Sequence, residues 1–230
     1  MSSGHFTRCY RVPHPRLDDR WIAMVHLALV QAFEMIRADG FDLTAAGEDD
    51  ITKQLEEIIE NRLRPEFVRS VTRGSDTANY DESSIGRKPD LVFRLKRELC
   101  HTHNKVQDSL FAECKPVGRK HPLRDHYCAV GKKTSGIERF VAGAYASAME
   151  QGFMIGYVRD GLQITRHLAE LLMAPKIYEG LGKPTSLSCV IEPNQAYSQG
   201  LYHTTHQRLF SWADGRPATP IDLYHSWHEC

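Results

Sequence analysis

The sequence has no excess of charge of either sign. Its 29 basic and 29 acidic residues give a formal net charge of zero. A chain balanced in this way offers no broad electropositive surface, so any contact with nucleic acid must come from a local patch. Hydrophobic residues make up 41% and charged residues 25% of the 230 positions, which is typical of a soluble globular protein of one domain.

Closely spaced cysteines are also missing. The six cysteines are scattered along the chain and form no CxxC pair. This scatter excludes the dense disulfide framework of a small secreted domain and indicates free thiols in a reducing compartment. The 12 histidines include pairs such as "HTTH", but none shows the two-pair spacing of a structural zinc site, so a zinc module is the least favoured alternative.

No apolar run is long enough to cross a bilayer. The most apolar stretch, residues 21–36, is interrupted by His26, Gln31 and Glu34. It is also shorter than the roughly 20 residues that a membrane span needs. The N-terminal residues lack the apolar centre of a secretory signal. We therefore expect a cytoplasmic protein that has no membrane partner.

Hydrophobic periodicity predicts an α/β protein in which helices flank a central mixed β-sheet. The predicted helices cover residues 17–38, 46–63, 136–150 and 161–173. The predicted strands cover residues 67–72, 90–95, 109–117, 152–158 and 186–192. A C-terminal β-hairpin is expected around the turn signal Asp214-Gly215, because an apolar stretch lies on each side of it.

These elements divide the chain into three regions. Residues 1–43 form an N-terminal arm and helix, residues 44–195 form the core, and residues 196–230 form the hairpin that packs on it. Because the first helix is apolar on most sides, it is expected either in the core or in an oligomer contact.

Three charged residues lie on or beside the predicted strands. Asp90 precedes the apolar run "LVFRL", and Glu113 and Lys115 lie within "SLFAECKPV". Alternate residues of a strand share a face, so Glu113 and Lys115 project together. Two interpretations fit this arrangement: Glu113 and Lys115 form an ion pair on a solvated face of the sheet, or they belong to a metal site. Two carboxylates from adjacent strands can hold Mg²⁺, and a nearby lysine can stabilise charge that develops on a phosphate.

This pattern resembles the PD-(D/E)xK motif of the restriction-endonuclease-like nucleases. Pro89-Asp90 followed by Glu113-Cys114-Lys115 carries the resemblance. It implies a restriction-endonuclease-like core in which Asp90, Glu113 and Lys115 are catalytic. It also implies that Mg²⁺, or Mn²⁺ as the alternative ion, is bound by Asp90, Glu113 and the carbonyl of Cys114.

The resemblance spans residues 44–160, and members of the superfamily often add an acidic ligand from the first core helix. At the helical repeat, Glu48 falls on the same side as the apolar Ile51 and Leu55 and is expected to point toward the sheet. Asp49 lies at the border of that side. Glu48 is therefore predicted as a further metal ligand, with Asp49 as the second choice. The alternative is that Glu48 is only a charge favoured by the helix dipole.

A basic cluster follows the strand that carries Glu113. Its members are Arg119, Lys120, Lys132, Lys133 and Arg139. Their position next to the expected site predicts a local patch that binds nucleic-acid phosphates. The alternative is a solvated run of charges.

The resemblance implies a Mg²⁺-dependent nuclease that hydrolyses DNA phosphodiester bonds through a metal-activated water. No recognition domain or helicase motif is identifiable in the sequence. A small domain of this kind is similar to effectors of prokaryotic antiviral defence that act with a partner protein or as homo-oligomers. The alternative function is a non-catalytic subunit that keeps the nuclease fold and acts through protein or nucleic-acid binding.

Overall fold

The computed structural model of the protein describes residues 14–74, 76–78, 85–100, 108–132, 135–195, 198–212 and 215–230. The α-helices are α1 (Asp19–Ala38), α2 (Glu48–Ile58), α3 (Gly136–Val141), α4 (Ala169–Leu172) and α5 (Pro175–Gly180). The strands are β1 (Val68–Thr72), β2 (Thr77–Ala78), β3 (Ile85–Arg87), β4 (Leu91–Leu95), β5 (Ser109–Val117), β6 (Gln151–Val158), β7 (Ser188–Ile191), β8 (Leu201–His206) and β9 (Ile221–Glu229). Single π-helical turns, which are wider than α-helical ones, cover Ile59–Leu63, Arg124–Cys128 and Ile164–Leu168, and a 3-10 turn covers Arg97–Leu99.

Seven strands form one mixed sheet in the order β1-β4-β5-β6-β9-β8-β7, and β2 pairs with β3 separately. The neighbours β1, β4 and β5 are antiparallel, whereas β5, β6 and β9 run parallel to one another. β8 and β7 complete the sheet as antiparallel strands. The predicted α/β class with a central mixed sheet is therefore confirmed.

Helices cover both faces of this sheet, which explains why two of its middle strands are buried along their whole length. Every residue of β5 and of β6 is buried. Tyr157 of β6 lies 2.8 Å from the Thr52 hydroxyl of α2, whereas Gly152 lies against Phe140 of α3. Positions 152 and 157 of a strand point to opposite faces, so α2 and α3 lie on opposite sides of the sheet.

α1 is a core helix. Its Phe33 ring stacks on that of His228 of β9 with centroids 4.1 Å apart, and it meets the Tyr157 ring edge-on at 5.9 Å. By length and composition alone α1 could cross a membrane, but half of its most apolar stretch is buried inside the fold. This packing confirms the first role predicted for the helix, a place in the core.

α2 and the turn after it cover the outer edge of β1. Glu60 accepts a hydrogen bond from the Val71 amide at 2.6 Å, and Glu56 accepts one from the Arg73 amide at 3.0 Å. These carboxylates occupy backbone donors that an edge strand would otherwise offer to another chain. The same contacts hold α2 against the sheet and thereby fix the position of its first turn.

Most of the predicted elements are confirmed. The strands predicted over 67–72, 90–95, 109–117, 152–158 and 186–192 correspond to β1, β4, β5, β6 and β7. The first two predicted helices correspond to α1 and to α2 with its following turn, and the fourth to the Ile164–Leu168 turn with α4. The five cysteines within the described residues are free thiols, as predicted.

The helix predicted over 136–150 is wrong beyond its first turns, since α3 ends after six residues. Gly143 and Ala146 have positive φ angles of 70° and 54°, which an α-helix does not accommodate. The Ser147 carbonyl accepts a hydrogen bond from the distant Arg208 at 2.8 Å. Contacts with remote parts of the chain thus replace the helical hydrogen bonds of this segment.

The two C-terminal arms pair as β8 and β9, in an antiparallel register from Leu201↔Ser226 to His206↔Ile221. The predicted turn residue Asp214 lies outside the described residues. β9 is an inner strand, because it lies between β6 and β8. The hairpin is therefore continuous with the sheet of the core rather than packed upon it.

Candidate functional site

The charged residues of the predicted motif meet where β4 begins, beside the middle of β5. Leu91 pairs with β5 in a register that places Asp90, one residue earlier, beside Glu113. Asp90 Oδ2 accepts a hydrogen bond from the Cys114 amide at 2.7 Å. Glu113 and Lys115 extend from the same face of β5, as the alternation of a strand requires.

The Lys115 ammonium lies at the centre of this group. Its Nζ is 2.6 Å from Glu48 Oε1, 3.1 Å from Glu113 Oε1 and 3.2 Å from Asp90 Oδ2. It also donates to the carbonyl oxygen of Cys114 at 2.6 Å. A single nitrogen thus contacts every group that the sequence predicts as a metal ligand. We call Glu48, Asp90, Glu113 and Lys115 the carboxylate cluster.

α2 brings Glu48 into the cluster, because Glu48 is the first residue of that helix. The side chain is 32% exposed and bonds Lys115 directly. Asp49, the second choice from the sequence, is exposed, and its carbonyl accepts a hydrogen bond from Arg73 at 2.9 Å. The structure therefore brings Glu48 to the lysine and leaves Asp49 at the surface.

Glu113 is fully buried, and donors contact both of its carboxylate oxygens. Oε1 accepts a hydrogen bond from the Gly136 amide at 3.1 Å and is shared with Lys115. Oε2 accepts hydrogen bonds from Arg139 at 2.9 Å and, at shorter range, from the Tyr145 hydroxyl. α3 and the segment after it thus hold the orientation of this carboxylate.

Burial and crowding of negative charge shift the pKa values of the cluster. Burial, followed by the charge of Glu113, raises the pKa of Asp90 to about 6, although Lys115 and the Cys114 amide act against this. Burial also raises the pKa of Glu48. Burial alone would lower the pKa of Lys115, but the surrounding carboxylates raise it above its ordinary value, so the lysine stays protonated.

The donor atoms of the cluster suit a hard divalent cation. Carboxylate and carbonyl oxygens are the ligands that Mg²⁺ prefers. Across the described ranges, no group of three or more His, Cys, Asp or Glu side chains is arranged to enclose a metal ion. Lys115 Nζ lies between the carboxylates instead, and a metal ion would have to displace it.

Three of the predicted phosphate-binding residues are exposed at the surface: Arg119, Lys120 and Lys132. Lys133 lies outside the described residues. Arg139 differs from the exposed residues, because its guanidinium reaches inward and donates to the buried Glu113. The structure thus places Arg139 with the carboxylate cluster.

Two residues that contact Glu113, Gly136 and Tyr145, are not among the site residues predicted from the sequence. The φ angle of Gly136 is +60°, a backbone conformation that has no sequence signal beyond the glycine itself. A buried tyrosine hydroxyl usually needs a partner, and this was the one signal that could have drawn attention to Tyr145.

Comparisons with protein-family models, with curated proteins and with solved structures yield no match to this chain.

Proposed function

We propose that the protein is a Mg²⁺-dependent nuclease of the restriction-endonuclease-like kind that hydrolyses DNA phosphodiester bonds. The observation that carries the proposal is the position of Lys115 Nζ, which contacts Glu48, Asp90, Glu113 and the carbonyl of Cys114. An ordinary surface ion pair needs one acid. Here acids from α2, from the turn before β4 and from β5 converge on one point.

The order of elements also supports the proposal. α2 is followed by the antiparallel strands β1, β4 and β5, then by α3, and then by β6 parallel to β5. The small separate pair β2 and β3 lies within the connection between β1 and β4. This order is similar to the core of the superfamily that the motif resembles.

Bound Mg²⁺ would supply a metal-activated water and neutralise charge on the phosphate. Glu48, Asp90, Glu113 and the carbonyl of Cys114 would hold it, since all of them offer oxygen. Mn²⁺ is the alternative ion. The pKa of Asp90 remains raised even beside Lys115, so the lysine alone does not compensate the ionised carboxylate. A bound divalent ion would supply the additional positive charge.

Lys115 acts in this proposal as a donor and not as a base. The carboxylates raise its pKa, so it is protonated at neutral pH. Once displaced from the carboxylates, the ammonium can donate to a phosphate oxygen and stabilise negative charge in the transition state. The burial of Glu113 and its donors hold that carboxylate in a fixed direction while the lysine moves.

Exposed Arg119, Lys120 and Lys132 would contact the DNA backbone beside the cluster. The zero net charge of the chain makes a second contribution to DNA affinity necessary. We propose that a partner protein or a second copy of the chain supplies it, as in a cytoplasmic effector of antiviral defence.

The test is cleavage of supercoiled and linear DNA by the purified protein with Mg²⁺, with Mn²⁺, or with a chelator. We expect metal-dependent cutting by the parent. Lys115→Gln and Asp90→Asn should each lower the rate by about a hundredfold, because each removes a charge that acts on the transition state or holds the ion.

Lys176→Gln is the matched control, since Lys176 is exposed on α5. It removes one lysine charge from the surface of α5 and should cut DNA at the parental rate. Equal cutting by the parent and by Lys115→Gln would contradict the assignment.

A non-catalytic subunit is the second candidate function. It is favoured by the mutual neutralisation within the cluster, where Lys115 bonds three carboxylates and Arg139 bonds Glu113. Such a network can serve the fold alone. In that case the parent cuts no nucleic acid with either ion, and mass measurement shows a stable oligomer or complex.

A further inference from the structure

The Arg139 side chain points into the protein, toward the carboxylate cluster. Its NH1 donates to Glu113 Oε2 at 2.9 Å and to the Lys88 carbonyl at 3.3 Å. The side chain of Arg139 is 22% exposed, whereas that of Glu113 is 0% exposed. The guanidinium also lies 5.6 Å from the centre of the Tyr145 ring. A residue whose only role was to bind phosphate at the surface would not need these contacts.

The charges of the carboxylate cluster and Arg139 together do not balance. With every group ionised, three carboxylates face two cations, Lys115 and Arg139, which leaves one negative charge. The two cations differ in their relation to an incoming metal ion. Lys115 contacts every predicted ligand and must leave, but Arg139 contacts the far oxygen of Glu113 and can stay. If it stays, its positive charge opposes the binding of a divalent cation.

Tyr145 provides a natural comparison, because it donates to the same oxygen of Glu113. Burial, followed by the charge of Glu113, raises the pKa of the Tyr145 hydroxyl well above its ordinary value, so the tyrosine stays neutral. Arg139 therefore contributes both orientation and charge to Glu113, and Tyr145 contributes orientation alone.

We propose that Arg139 is a positioning residue that holds Glu113 and also weakens the binding of a divalent cation to the carboxylate cluster. The inference rests on the metal site of the proposed function, but not on DNA cleavage. Its consequence is that the ion binds tightly only when a substrate phosphate adds negative charge. The free protein is thus kept from holding the ion permanently.

The test is a calorimetric titration of the full chain with Mn²⁺ in the absence of nucleic acid. Arg139→Gln should bind Mn²⁺ at least about tenfold more tightly than the parent, because one opposing charge is gone. Tyr145→Phe should not bind it more tightly. Arg139→Lys, which keeps the charge, should retain the parental affinity, and so should Arg166→Gln, in which an exposed arginine is replaced.

Parental or weaker Mn²⁺ binding by Arg139→Gln overturns the inference, and so does the absence of Mn²⁺ binding in both proteins. If Arg139→Gln does not fold, as judged by its thermal transition, Arg139→Lys decides: tenfold tighter binding by this charge-preserving variant overturns the inference. Tighter binding by Arg139→Gln without any DNA cleavage by the parent would remove the proposed nuclease function and leave this inference standing.

Discussion

Gly136 stands at a position where a side chain has no room. Its φ angle is +60°, and a Cβ atom would lie 2.2 Å from the Tyr127 carbonyl oxygen and 2.7 Å from that of His126. At the same position the Gly136 amide donates to Glu113 at 3.1 Å. The glycine therefore lets the start of α3 approach the wide turn before it and brings a backbone donor to the buried carboxylate.

We expect Gly136→Ala to lower the free energy of unfolding by more than about 2 kcal/mol, because the new methyl group meets backbone atoms. Gly131→Ala is the matched control. Gly131 also has a positive φ angle, +86°, but a Cβ there meets nothing within 4 Å. It should cost only about 1 kcal/mol. Urea denaturation measures both, and equal losses would contradict the steric argument.

At the scale of elements, the segment between α3 and β6 is held by groups from distant parts of the chain. Arg208 donates to the carbonyl of Ser147 at 2.8 Å and, at shorter range, to that of Met149. The His14 amide donates to the Ala148 carbonyl at 2.7 Å. Because this segment carries Tyr145, which donates to Glu113, Arg208 also stabilises the surroundings of Glu113 indirectly.

Arg208→Met should lower the free energy of unfolding by about 3 kcal/mol, because buried carbonyls lose their charged donor. Arg208 is only 6% exposed, and burial lowers its pKa to about 9. Arg166→Met, at an exposed position, should change stability by less than about 0.5 kcal/mol. The two values come from urea denaturation at neutral pH, and a difference below 1 kcal/mol between them, about the size of one ordinary hydrogen bond, would contradict the role given to Arg208.

These same elements show what the sequence could and could not predict. The buried strands were predicted because short apolar runs bounded by turn residues are a local signal. Glu48 was placed toward the sheet because a helical face is also local. The helix predicted for the segment after α3 is wrong, since the alanines Ala144, Ala146 and Ala148 favour a helix until contacts with Arg208 and His14 override their preference.

The site was predicted in part for a similar reason. Asp90, Glu113 and Lys115 follow from a motif and from strand alternation, both of which are read along the sequence. Apart from Lys115, the donors to Glu113 come from residues 23 to 32 positions later in the chain. The sequence predicts Arg139 in a phosphate-binding patch because charge alone does not show which way a side chain points.

At the scale of the whole molecule, buried histidines couple folding to pH. His26 and His206 are fully buried, and each has a ring nitrogen 2.8 Å from a backbone carbonyl oxygen. Burial lowers the pKa of both to about 4. His225 and His228 of β9 are buried as well, and burial lowers the pKa of each well below its ordinary value.

We expect stability to fall as the pH drops from about 6.5 toward 4, because the unfolded chain binds more protons than the native state in this window. His26 and His206 should each contribute up to about 3 kcal/mol over that range. Asp90, with its pKa raised to about 6, acts in the opposite direction and offsets part of the loss.

Urea midpoints at pH 7.5 and at pH 5 measure this dependence. His26→Gln keeps a polar side chain but cannot titrate, so its loss of stability between the two pH values should be smaller than that of the parent. An unchanged loss would show that His26 is not among the coupled groups.

The place of β9 in the sheet has a consequence for how the chain is made. β9 lies between β6 and β8, yet it follows both of them in the chain. During synthesis the inner edge of β6, which is apolar on both faces, waits without its neighbour until residues 221–229 have been added. Unpaired apolar edges promote association between nascent chains. A growing chain of this protein should therefore depend on chaperones at that stage.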